Sequence, residues 1–190
     1  MEFCLRGVVS IDPNALAALI AKDEIRELAQ LYSRGVDRKD GALLRTLYTE
    51  DATDTHGDTF DGGAEDYVTF LEQSFPYMRY SGHHICNHLI TVDGDTGEGE
   101  VYAYTFHVIP DGQGGWLEDI RFVRYIDRYR KDDGRWRFSQ RVVTYDYSSR
   151  HPAQIPAGDT LTVPLDPATY PSDASYAVLS SALFARGPRR

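Results

Sequence analysis

Two periodicities divide the chain. From Pro13 to Phe75 the apolar residues mostly recur every three or four positions, and from Tyr80 to Tyr147 they alternate with polar ones. The first spacing belongs to helices and the second to strands with one buried face. Pro13-Asn14 opens a long helix whose apolar positions are Leu16, Leu19, Ile20, Ile25, Leu28, Tyr32 and Val36, with Gly35 weakening its end. Asp40 is placed to cap a short second helix, Gly41 to Tyr48, that buries Leu43, Leu44 and Leu47. Turn-rich residues from Thr49 to Gly63 leave room for short strands at Ala52–Thr55 and Thr59-Phe60. A third helix, Ala64 to Phe75, faces inward through Tyr67, Val68, Leu71 and Phe75, and Pro76 ends it.

Four long strands follow, at Tyr80–Val92, Gly97–Ile109, Leu117–Arg130 and Arg135–Tyr147. Their connectors, Asp93-Gly94-Asp95, Pro110 to Gly115 and Asp132-Asp133-Gly134, are turn sequences that make neighbouring strands antiparallel. Helices first and hairpin strands afterwards mean an α+β fold, with the helices on one side of a curved antiparallel sheet. Residues 1–12 read as an N-terminal arm and 13–150 as the domain. Residues 151–190 form a proline-rich tail, helical only at Ser175–Ala185. Its apolar residues, Leu161, Val163, Leu165, Tyr170, Tyr176, Leu179 and Phe184, suit a tail that covers the pocket or a neighbouring subunit.

Composition narrows the function classes. A net charge of −9 argues against a nucleic-acid or anionic-membrane surface. Cys4 and Cys86 are too few for a disulfide framework, which points to a reducing cytoplasm. No apolar run reaches the ~20 residues of a membrane helix, and the first residues lack the apolar core of a signal peptide.

The candidate chemistry centres on Tyr80 to Asp95, which holds His83, His84 and His88. On a regular strand His83 and His84 point to opposite faces, and only His84 and His88 share one. No Cys or carboxylate pair completes a tetrahedral zinc site around them, so no metal is expected. No glycine-rich phosphate loop and no Gly-x-Ser-x-Gly elbow is present. Taken singly, Asp37, His107, Tyr32 and Arg141 each have a plain structural explanation: a cap, a core histidine, a core tyrosine and an ion pair.

The order of one long helix, two shorter ones and a long sheet is combined with three strings. These are AKDEIRELAQLYSRGVDRKDGALLRTLYTEDA, HHICNHLITVDGDTGEGEVYAY and DRYRKDDGRWRFSQRVVTYDY. Together, over Asn14 to Tyr147, they resemble the SnoaL-like branch of the nuclear transport factor 2-like superfamily. That resemblance implies a cone-shaped α+β barrel, three helices against a strongly bent sheet, with a pocket inside. The family includes scytalone dehydratase, hexachlorocyclohexane dehydrochlorinase, bile-acid 7α-dehydratase, ketosteroid isomerase, polyketide cyclases and non-catalytic binding modules, so the site must decide function.

The dehydratase pattern matches in several places. Asp37 follows Gly35-Val36, His83 lies four residues before Asn87, Tyr32 lies five before Asp37, and Arg141 lies five after Trp136; His107 resembles a second pocket histidine. The resemblance thus implies His83 and Asp37 as a catalytic dyad, with Tyr32, Arg141 and His107 assisting. It also implies substrate contacts from His84, Asn87, Tyr48, Phe75 and Tyr145. In this reading Tyr32 bonds an enolate or carbonyl oxygen, Arg141 holds developing charge or anchors Asp37, and His107 protonates a departing hydroxide. The expected activity is a cofactor-independent lyase, dehydratase-like, acting on a cyclic, fairly apolar small molecule. An isomerase or cyclase with the same base, or a binding module, are the alternatives. A homo-oligomer, trimer favoured, is expected on the outer sheet face through Phe122, Ile126, Trp136 and Phe138.

Overall fold

The computed structural model describes residues 12–154 and 168–184. The expected arm, apart from Asp12, and residues 155–167 of the tail lie outside them. Helix α1 runs Pro13–Asp37; Asp12 caps it by accepting the Asn14 N–H at 3.0 Å, and proline stands in its first turn. Its second half is buried, from Ile25 through Val36, whereas Leu16, Leu19 and Ile20 are exposed. Gly35 is there for contact rather than for termination. A Cβ at that position would meet the Leu44 side chain at 2.6 Å, so glycine lets helix α2, Gly41–Arg45, close onto α1. Asp40 caps α2 through the Leu43 N–H at 2.9 Å. The helix is shorter than its apolar spacing predicts, because Tyr48 already begins strand β1, Tyr48–His56. Strand β2, Phe60–Gly63, leads into α3, Ala64–Ser74, and a 3-10 turn at Phe75–Tyr77 takes up Pro76.

Strands β3 (Tyr80–Asp93), β4 (Thr96–Pro110), β5 (Trp116–Asp132) and β6 (Arg135–Pro152) form an antiparallel meander. The whole sheet has the order β2-β1-β6-β5-β4-β3. It is mixed, not purely antiparallel, because β1 pairs with β6 in parallel. It is also open, with β2 and β3 as its edges, so the barrel does not close. The α+β arrangement of helices against a curved sheet is otherwise as the pattern predicts.

β-Bulges change which side chains face the core. Between Ile85 and His88 strand β3 spends three steps where β4 spends two, from Ala103 to Val101. The extra residue inverts the alternation, so His83, Ile85 and His88 face inward and His84 faces out. The expectation that His84 and His88 share a face fails for that reason. The same device in β6, between Phe138 and Gln140, lets Trp136 and Phe138 point inward although Arg141 and Val143 also do. Trp136 and Phe138 are therefore core residues and not part of an outer apolar face. That face keeps Tyr102, Phe122 and Ile126 exposed.

The tail helix is shorter than expected: α4 covers only Ala174–Val178. The described tail packs behind the end of α1. The Tyr170 N–H donates to the Arg38 carbonyl at 2.7 Å, and the Tyr176 hydroxyl donates to Asp40 at 2.9 Å. Among the described residues no helix is long and apolar enough to cross a membrane.

Candidate active site

A cavity of about 290 Å³ lies between the helices and the inner sheet face. Helix α1 supplies Tyr32 and Val36, and α3 supplies Tyr67, Phe70 and Leu71. The sheet contributes His56 from β1, His83 from β3, Thr105 and His107 from β4, Arg121 and Tyr125 from β5, and Val143 and Tyr145 from β6. Strands β1 and β3 stand far apart in the sheet order. Their meeting around one cavity is the consequence of the sheet's curvature.

Asp37 is the last residue of α1, and α1 packs along β3, so its carboxylate reaches the edge strand. One oxygen accepts the His83 Nδ1–H at 2.7 Å and the Ser81 hydroxyl at 3.1 Å; the other accepts the His83 backbone N–H at 3.0 Å. A carboxylate only accepts, so Nδ1 carries a proton, and Nε2 is the nitrogen that holds the lone pair whenever the ring is neutral. Three donors fix the carboxylate, the carboxylate fixes the ring, and His83 lines the cavity. Ser81 escaped the sequence reading, although Ser-x-His at period two on a strand is the pattern that places both on one face.

His107 stands edge-on to His83, ring centroids 5.1 Å apart. Burial pushes its pKa down to about 3, helped by the charges His83 and Arg121 place beside it. His107 is therefore a neutral imidazole near neutral pH. That contradicts the expected role as acid for a departing hydroxide and suits a neutral hydrogen-bond donor instead.

A second His–Asp pair faces the same cavity, and the motif reading did not find it. His56 Nδ1 lies 2.5 Å from Asp54, a carboxylate with no exposed surface that also accepts the Tyr48 hydroxyl at 2.7 Å. His56 Nε2 lies 3.0 Å from the Tyr67 hydroxyl and 3.4 Å from that of Tyr32, and the two phenol oxygens are 2.8 Å apart. Burial raises both phenols well above their usual pKa, so both are protonated. The signal was again period two, Asp54-Thr55-His56 on one strand.

Arg141 neither anchors Asp37 nor lines the cavity. It is fully buried and bonds Asp127 through Nε and Nη2, both at 2.8 Å. The rings of Tyr32, Tyr125 and Phe138 pack on its guanidinium at 4.1–4.3 Å. Burial opposes its charge, but Asp127 outweighs burial and holds it protonated. Its function is to carry the wall behind Tyr32.

The implied substrate contacts divide. Tyr145 lines the cavity with Arg121 stacked 5.0 Å over its ring. Tyr48 and Phe75 are buried in the core outside the lining. His84 is exposed on the outer face beside Tyr104, and Asn87 is exposed at the bulge, so neither reaches the cavity. No described tail residue lines it either. Among the described residues no cluster of three or more His, Cys, Asp or Glu side chains is arranged to hold a metal ion.

The family model of the SnoaL-like domain matches residues 17–142. Solved structures share the fold. The Kfla4162 protein of Kribbella flavida is 23% identical with a TM-score of 0.63, over 69% of this chain and 94% of its own. A protein assigned as a scytalone dehydratase in Novosphingobium aromaticivorans is 21% identical with a TM-score of 0.62, over 77% and 96%. A type 2 hexachlorocyclohexane dehydrochlorinase is 18% identical with a TM-score of 0.65, over 76% and 97%. At these identities the likeness is one of fold. No curated protein sequence matches the chain.

Proposed function

This chain belongs to the SnoaL-like domain family, and from that premise we propose that it is a lyase of the dehydratase type. His83 is the general base. Its Nε2 removes a proton from a carbon next to a carbonyl, and Asp37 holds the ring and stabilises the imidazolium that forms. The observation that carries this reading is the threefold-bonded Asp37 on His83 Nδ1, with His83 lining a largely apolar cavity. Dehydratase and dehydrochlorinase among the structures of the same fold support it as family context.

The neutral His107 beside His83 is suited to hydrogen-bond the oxygen on which the enolate charge gathers. Val36, Phe70, Leu71, Ile109 and Val123 along the lining favour a cyclic, hydrophobic small molecule over a charged one. The proton transfers use only side chains of this chain. The exposed Tyr102, Phe122 and Ile126 on the outer sheet face are proposed to carry a homo-oligomer, trimer favoured.

Hydrogen exchange tests the base without needing a leaving group. α-Tetralone in deuterated buffer is expected to exchange its α-hydrogens faster with the protein than without it, read by proton NMR. No acceleration at saturating protein contradicts the proposal.

A further inference from the structure

The base accounts for only one half of an elimination, and the cavity contains a built group that the base leaves unused. The geometry points to the Tyr32 hydroxyl as the acid that gives a proton to a departing hydroxyl, with His56, positioned by Asp54, as the proton source that recharges it through Tyr67. This rests on the reading of His83 as the base.

Counting protons supports it. If His56 is neutral, Asp54 takes the Nδ1–H and Nε2 must accept a phenol proton. The Tyr32 O–H then serves Tyr67, the Tyr67 O–H serves His56, and no proton of the triangle is left for a substrate. If His56 is an imidazolium, the direction reverses. Nε2–H donates to Tyr67, Tyr67 donates to Tyr32, and the Tyr32 O–H is released toward the cavity it lines. Every distance in the triangle is kept. The fully buried Asp54 carboxylate supplies the counter-charge that the imidazolium needs.

The reaction then balances. The bond from the α-carbon to hydrogen breaks and its proton goes to His83 Nε2. The bond from the β-carbon to oxygen breaks, a carbon–carbon double bond forms, and the leaving oxygen takes the Tyr32 proton. Tyr32 recovers a proton from Tyr67, and Tyr67 from His56. Water leaves, His83 is charged, His56 is neutral, and exchange with solvent restores both. No oxidation or reduction occurs.

Two substrates separate this acid from the base. β-Hydroxy-α-tetralone loses water and needs a proton on its leaving group; β-acetoxy-α-tetralone loses acetate and does not. Both yield α-naphthol, read by fluorescence. His56→Gln is expected to slow the hydroxy substrate ~10²–10⁴-fold more than the acetoxy one, the usual range for one general acid. Tyr67→Phe keeps the ring stacked on His56, with centroids 4.5 Å apart, and removes only the relay hydroxyl. It is expected to shift the same ratio and serves if His56→Gln fails to fold. Equal slowing of both substrates in both variants overturns the acid role and leaves the base standing. A parent protein that exchanges no α-hydrogen of α-tetralone overturns the base and this inference with it.

Discussion

At the scale of single residues, the proposed function rests on how the Asp37 carboxylate is held. Asp37→Asn places an amide against His83 Nδ1 that can donate there and trap the wrong tautomer. Catalysed proton exchange is predicted to fall ~10²–10⁴-fold, measured as the exchange rate at saturating ketone. Ser81→Ala removes one of three donors to the same carboxylate. The prediction there is a loss of about 0.5–1.5 kcal/mol in urea denaturation and a rate change below about tenfold. Asp37 and His83 could be named from the sequence because a short motif around each resembles the family pattern. Ser81, Asp54 and His56 needed only the alternation of a strand, but alternation singles out His83, His84 and His88 only once a histidine cluster draws attention to them, and the short strand expected at Ala52–Thr55 stops before His56. The place of Tyr67 in this network was beyond reach, because it depends on contact with Tyr32, 35 residues away.

At the scale of elements, the bulges and the buried ion pair decide what the sheet presents. Periodicity gave the strands and helices but not the bulges at Cys86-Asn87 and Ser139, since one extra residue leaves composition unchanged and reverses every side chain beyond it. The parallel β1–β6 pair was equally hidden, because its partners are joined by the whole meander. Asp127 and Arg141 sit directly opposite one another on β5 and β6. Asp127→Asn would leave a fully buried guanidinium uncompensated, and a loss of about 3–5 kcal/mol is predicted. Replacing both, as Asp127→Leu with Arg141→Met, is predicted to recover most of that loss in the same denaturation experiment. A double variant as unstable as the single one would show that the pair is held for more than its charge.

At the scale of the molecule, stability should depend on pH through the buried histidines. The folded pKa of His107 is about 3 against an ordinary 6.5, so between those values the unfolded chain binds a proton that the folded protein refuses. Stability is complete above about pH 6.5 and is lost as pH falls toward 3. The groups facing His107 are His83, Arg121, Asp119 and Asp37. His107→Phe leaves all four in place, and its urea midpoint is predicted to fall less than the parent's between neutral pH and about pH 4.5. The proposed oligomer belongs to this scale too: light scattering at micromolar concentration is predicted to give a trimer, and Phe122→Glu with Ile126→Glu a monomer. The most direct measurement of the central claim is α-hydrogen exchange of α-tetralone by the folded parent and by folded His83→Gln, side by side. Acceleration by the parent and a ~10²–10⁴-fold slower rate in the variant are predicted, as loss of a general base at His83 requires. Exchange by His83→Gln within tenfold of the parent would contradict it.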